Sequence, residues 1–97
     1  MSERRGSKSL EDLPNVGAVA AERLRAVGVR TPEELARIGS VGAALRHLHA
    51  EPEDPPCQSM LSALEGAIRG VRWHAIPKRE RDALWEEYER RSRRRGA

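Results

Sequence analysis

Leu13-Pro14-Asn15-Val16-Gly17, running into Ala18-Val19-Ala20-Ala21-Glu22-Arg23-Leu24, reads as a tight turn that opens a helix. Proline fixes one backbone angle, asparagine tolerates the left-handed region, and glycine leaves open space at the helix mouth. The helix is expected over about Ala18 to Val27, with Ala20, Leu24 and Val27 at i, i+4, i+7 on its inward face. Gly28 should stop it. Upstream, Ser9 can cap a short helical turn over residues 9–12, where Glu11 and Asp12 suit the positive end of the dipole. Downstream, Thr31 is an N-cap, Pro32 sits at the first helical position and Glu34 completes a capping box, so a short helix should run to Ile38 before Gly39.

Beyond Gly39 the pattern stays helical. Ser40 can cap a helix whose stripe is Val41, Ala44, Leu45 and Leu48. Glu51-Pro52-Glu53-Asp54-Pro55-Pro56 then interrupts, because no helix crosses three prolines in five positions. A further helix from Gln58 to Arg69 turns Leu61, Leu64 and Ile68 inward, with Met60 and Ala67 beside them, and Gly70 ends it. Val71 to Ile76 form a short apolar linker, and Pro77 opens a last helix with Leu84, Trp85 and Tyr88 on one face, fraying at Arg93-Arg94-Arg95. No segment alternates long enough to be a strand. The expectation is an all-α domain of five or six helices: a tandem helix-hairpin-helix-like unit over about 9–50, then a helical pair over about 57–92. The tandem character rests on Val16-Gly17-Ala18-Val19-Ala20-Ala21 and Ile38-Gly39-Ser40-Val41-Gly42-Ala43, which match in pattern 22 residues apart.

Composition sets the bounds. The chain has 97 residues, 38% of them hydrophobic, with a mean hydropathy of -0.71, enough for one small core and too few for the larger catalytic scaffolds. Val, Leu and Ile together number 18 and Phe is absent, whereas Ala numbers 13, which favours helices packed through small side chains. There is no apolar run of membrane-spanning length, and the charged N-terminus has no apolar segment behind it, so neither a membrane span nor a secretory signal is expected. A single cysteine, Cys57, cannot form an intramolecular disulfide and fits a reducing cytoplasm. Net charge is +3, with a pI of 9.7, but the positive charge sits at the ends. Without residues 1–8 and 90–97 there remain ten basic against fourteen acidic residues, about -4. Residues 1–8 are expected to be a flexible basic N-terminus, 9–92 the domain, and 93–97 a basic C-terminal tail.

The turn at residues 13–17 resembles the hairpin of helix-hairpin-helix domains, whose pattern is apolar-x-Gly-apolar-Gly and whose backbone N–H groups face a DNA phosphate. Gly17 keeps the second glycine and Asn15 stands at the first. Ala18, Val19 and Ala20 follow where DNA-binding members often carry Lys or Thr, and the first basic residue of the helix is Arg23. Read whole, the chain looks like the C-terminal domain of the TfoX/Sxy competence-regulator family. Leu13 to Gly17, Ala21 to Val29, Thr31 to Leu35, and then Leu61-x-x-Leu64-Glu65-Gly66-Ala67-Ile68-Arg69-Gly70-Val71-x-Trp73 carry the resemblance, which covers about residues 9–90. It implies a regulatory role in DNA-uptake gene expression, alongside other transcription factors, and no enzymatic activity.

The supply of reactive residues agrees. Cys57 lies beside two prolines among acidic residues, a setting that does not activate a thiol. His47-x-His49 with one distant cysteine lacks zinc-site spacing, and the two histidines would project from different sides of a helix. GxxxxGK[ST] and GxGxxG sequences are absent, so neither a catalytic residue, a cofactor nor a metal is expected. Candidate nucleic-acid contacts are Asn15, Gly17, Ala18 and Arg23 at the hairpin, and Arg90, Arg91, Arg93, Arg94 and Arg95 as a non-specific attraction for phosphate. The competing expectation is a protein-interaction module that docks another regulator, or a second copy of itself, through Trp85 and Tyr88. Gly66, inside a helix, predicts the close approach of a neighbouring helix, with a partner or ligand on the bare backbone as the alternative. Trp73 is expected as a core plug rather than a base-stacking platform, and His74 as a surface or linker residue, with a small polar site lined by Arg72-Trp73-His74 as the alternative.

Overall fold

The computed structural model describes residues 8–96, with side chains through Arg93. The expected flexible segment 1–8 therefore lies, Lys8 apart, outside the described residues. After a 3₁₀ turn at Leu10–Asp12, the chain forms α1 (Ala18–Ala26), α2 (Pro32–Ile38), α3 (Ser40–Ala50), α4 (Gln58–Arg69), a second 3₁₀ turn at Trp73–Ala75, and α5 (Lys78–Gly96). There is no strand among the described residues.

Each boundary has a local cause. Asp12 accepts from both the Ser9 N–H (2.9 Å) and the Ser9 hydroxyl (3.2 Å), closing the first turn. Gly28, at φ +86, ends α1 in the left-handed region. The Glu34 N–H donates to Thr31 Oγ1 at 3.0 Å. The reciprocal half of that cap differs from expectation, because the Glu34 carboxylate reaches one residue further back, to the Arg30 N–H (2.7 Å). Ser40 is not a cap. Gly39, alone between α2 and α3 at φ +86, holds that position, and the buried Ser40 hydroxyl instead donates to Glu65 of α4 at 2.7 Å. Gly17, by contrast, is extended (φ -96, ψ -170), so the two similar sequence segments make backbone junctions of different shape.

The α3–α4 pair is central. One side, with Ala43, Leu64 and Ala67, packs on Leu10, Val16, Ala21, Leu24, Val29 and Leu35 from the N-terminal elements. The other, with Val41, Ala44, Leu45 and Leu61, packs on Tyr88 of α5. The buried face of α1 is Ala21 and Leu24; Ala20 and Val27 are only half-buried, so the helix is rotated slightly from its expected facing. α5 runs as helix to Gly96.

Candidate nucleic-acid interface

The hairpin is built on one left-handed residue. Asn15 has φ +68, the one non-glycine residue with positive φ among those described. Its side chain is spent inside the fold: Nδ2 donates to the carbonyls of Val71 (2.9 Å) and Ala63 (3.3 Å), while Oδ1 accepts from the Trp73 N–H (3.2 Å). A partly buried carboxamide with these partners holds the turn against the exit of α4. Of Asn15, only the backbone is left for a ligand.

The same clip explains Gly66. A Cβ there would stand 2.5 Å from Asn15 Nδ2, 2.6 Å from the Val71 carbonyl and 3.3 Å from Trp73 Cα. The close neighbour is therefore the hairpin amide and the strand of chain leaving α4, not the expected helix. Gly17 is the opposite case. Its φ of -96 suits any residue and a Cβ would meet nothing within 4 Å, so nothing inside the fold requires a glycine.

Gly17, Ala18 and Val19 are exposed. Gly17 is the N-cap of α1 without a side-chain hydrogen bond, and the first turn carries no carboxylate. The Gly17 carbonyl accepts from the Ala21 N–H (3.0 Å), which leaves the donors of the first turn pointing out of an open helix end. Arg23 lies further along α1 and pairs with Asp54 at 3.4 Å, with both side chains about half exposed.

The basic end of α5 does not join this site. Arg91 borders a groove of about 590 Å³ with Ala26, Val27, Ile38, Arg46 and His49, at the end of α1 away from Gly17, and it pairs with Glu87 (3.2 Å). Arg90 and Arg93 are exposed, while the Arg94 and Arg95 side chains lie outside the described residues.

Two aromatic expectations change. Tyr88 is 5% exposed and belongs to the core formed by α3, α4 and α5, so it is no free docking anchor. Burial, with Glu89 nearby, pushes its phenol pKa up from 10.0. Trp85 stacks on it, centroids 4.9 Å apart at 25°, and remains half-buried. Trp73 is not a core plug: it is 39% exposed, because the buried plug of that linker is Ile76, at 1%. Arg81 lies over the Trp73 ring with its guanidinium carbon 5.2 Å from the centroid, and exposed His74 meets the ring edge-on at 5.6 Å. Lys78 and Arg81, neither marked by periodicity nor by a motif, are the α5 cations beside this ring. A basic run broken by one tryptophan between Arg69 and Arg81 was the available signal.

Along α1, an apolar cleft of about 290 Å³ lies between Val19, Leu24, Met60 and Leu64, with Asn15 and His47 at its polar margin. The buried His47 ring nitrogen Nε2 lies 2.8 Å from the Asp54 carbonyl, tying α3 to the acidic connection rather than to His49, which is exposed.

The TfoX C-terminal domain model matches residues 6–88. This chain belongs to that family. As a TfoX C-terminal domain it has structural relatives: an uncharacterized protein from Listeria monocytogenes in a triclinic crystal form is 36% identical with a TM-score of 0.77, covering 84% of this chain and 91% of that one. A protein of unknown function from Listeria monocytogenes in a tetragonal form is 35% identical with a TM-score of 0.74, covering 84% and 98%. No curated protein matches. In this TfoX C-terminal domain, no helix among the described residues is long and apolar enough to cross a membrane, and no three His, Cys, Asp or Glu side chains gather as metal ligands.

Proposed function

We propose that this TfoX C-terminal domain is a non-enzymatic regulatory module that meets nucleic-acid backbone through the open N-terminus of α1, in the regulation of DNA-uptake genes. The carrying observation is Gly17, a glycine that the fold does not need at the mouth of an exposed, uncapped helix. Helix N-termini hold phosphate through free N–H groups and the dipole, and a bare Cα lets the anion come close. Such contact positions the domain without reading bases. Arg90, Arg91 and Arg93 of α5, where Arg91 borders the C-terminal end of α1, add salt-sensitive attraction.

Gly17→Val tests the contact. Valine suits the extended backbone at that position and has room, so the fold should be kept while DNA affinity drops several-fold in a titration by fluorescence anisotropy. Unchanged affinity in a folded variant would remove the hairpin from the interface. A salt titration of the full chain against residues 1–89 separates the two contributions. Binding that persists in 1–89 supports the hairpin; binding that disappears with the arginines favours docking to another protein, for which half-buried Trp85, beside Leu48 and Leu84, is one apolar contact on α5.

A further inference from the structure

Trp73 is one of two large hydrophobic residues exposed on the described surface, the other being Val19, and both adjoin Asn15: Trp73 through its own N–H, Val19 as a co-lining residue of the cleft along α1. The indole is held rather than loose. Its backbone is fixed by the Asn15 carboxamide, and the absence of a Cβ at Gly66 lets the Trp73 main chain lie against α4. Arg81 is in turn fixed over the ring, since its Nε donates to the Ile76 carbonyl at 3.0 Å.

The charge around the ring is unbalanced. Glu80 is engaged by Arg69 at 2.7 Å and Asp82 by Lys78 at 2.7 Å, whereas Arg72, Arg79 and Arg81 make no ion pair among the described residues. Exposed Arg72 and His74 flank the tryptophan directly, and exposed Arg79 lies on the first turn of α5. With Arg81 over one face of the ring, the opposite face of a preordered indole set among cations is what would take an unpaired base together with its phosphates. A base inside a duplex has no free face to offer it.

We infer that Trp73 is a stacking platform for an unpaired base, so that the domain takes single-stranded nucleic acid in preference to duplex, with Arg72 and Arg79 on the flanking phosphates. This deepens the reading of the hairpin as a backbone contact and rests on it, because both features occupy the region organised by Asn15.

The test compares a dye-labelled single-stranded oligonucleotide with the duplex of the same sequence, using the full chain, Trp73→Leu, Trp73→Phe and Gly17→Val, each checked for helicity and Tm. The expected result is tighter binding of the single strand and a loss on the order of tenfold for Trp73→Leu on that strand alone. Trp73→Phe should retain most of the affinity, and Gly17→Val should weaken both ligands. Equal losses for Trp73→Leu on both ligands, or no loss, would overturn the stacking role, and a continued effect of Gly17→Val would then leave the backbone contact intact. A Trp73→Leu loss with an inert Gly17→Val would keep the platform and remove the hairpin phosphate. No binding of either ligand would overturn both and leave the exposed indole to a protein partner.

Discussion

Asn15 does two jobs that ordinarily fall to different residues. It supplies the left-handed backbone of the hairpin, and its carboxamide closes hydrogen bonds to residues 48 to 58 positions away in sequence. Asn15→Gly keeps the backbone but loses three hydrogen bonds, and should cost about 2–3 kcal/mol in urea unfolding at roughly 1 kcal/mol each. Asn15→Ala should cost about 1 kcal/mol more, for the left-handed backbone. Gly66→Ala should cost about 1–3 kcal/mol by overpacking. In the double variant Asn15→Gly/Gly66→Ala the two losses should add to less than their sum, because one of the two atoms that the new methyl strikes has gone. Strict additivity would mean that the Val71 carbonyl alone sets the cost at position 66. None of this was legible locally: the sequence marks position 15 as a turn and position 66 as a tight spot, but nothing in either stretch names the other.

At the scale of elements, the legible part is what neighbours within a few residues determine. Thr31-Pro32, Gly28, Gly39, Gly70 and the proline run after Glu51 place the helix ends, because caps and stops act over three or four positions. Facing was less legible. Val27 satisfied the period but sits half-buried at the C-cap, and Trp73 looked like a plug until Ile76 proved to be the residue that the linker buries. Periodicity weighs apolar residues alike and does not say which of two neighbours the tertiary structure takes. The first 3₁₀ turn is fixed to α1 by Glu11, whose carboxylate accepts from Arg25 at 2.7 and 2.9 Å. That guanidinium, with the turn's backbone donor, holds the Glu11 pKa down from 4.5 to about 2. A lowered carboxylate pKa stabilises the fold fully above about pH 4.5 and ceases to do so as pH falls to about 2. Glu11→Gln should therefore have a slightly lower Tm than the parent at neutral pH. The two should converge as pH falls through that window, and parallel curves would show that the pair contributes nothing.

At the scale of the whole molecule, one helical pair carries two half-cores, and α5 closes the second of them through Tyr88. Tyr88→Ala should cost about 3 kcal/mol or more by thermal or urea unfolding, as expected for a large buried aromatic. Trp85→Ala, at a half-buried position, should cost clearly less. The reverse order would mean that Trp85, not Tyr88, fastens α5. The all-helical plan of five helices was visible in the sequence because caps and stops mark each helix, whereas the expected repeat was not realised as such: the Gly17 and Gly39 junctions differ in backbone shape. The candidate interface was only half visible, since Asn15 and Trp73 become neighbours only when the two halves meet.

That meeting decides the shape of the turn. Its own residues end at Gly17, yet the groups that hold its shape belong to Ala63, Val71 and Trp73. A peptide ending at Ala50 would contain every letter of the hairpin motif and none of its clamp. The motif is therefore not portable: moved to another scaffold without the exit of α4, it would be a flexible loop of the same spelling. A cut in the acidic connection at residues 51–56 that let the halves separate would unclamp the turn without touching it.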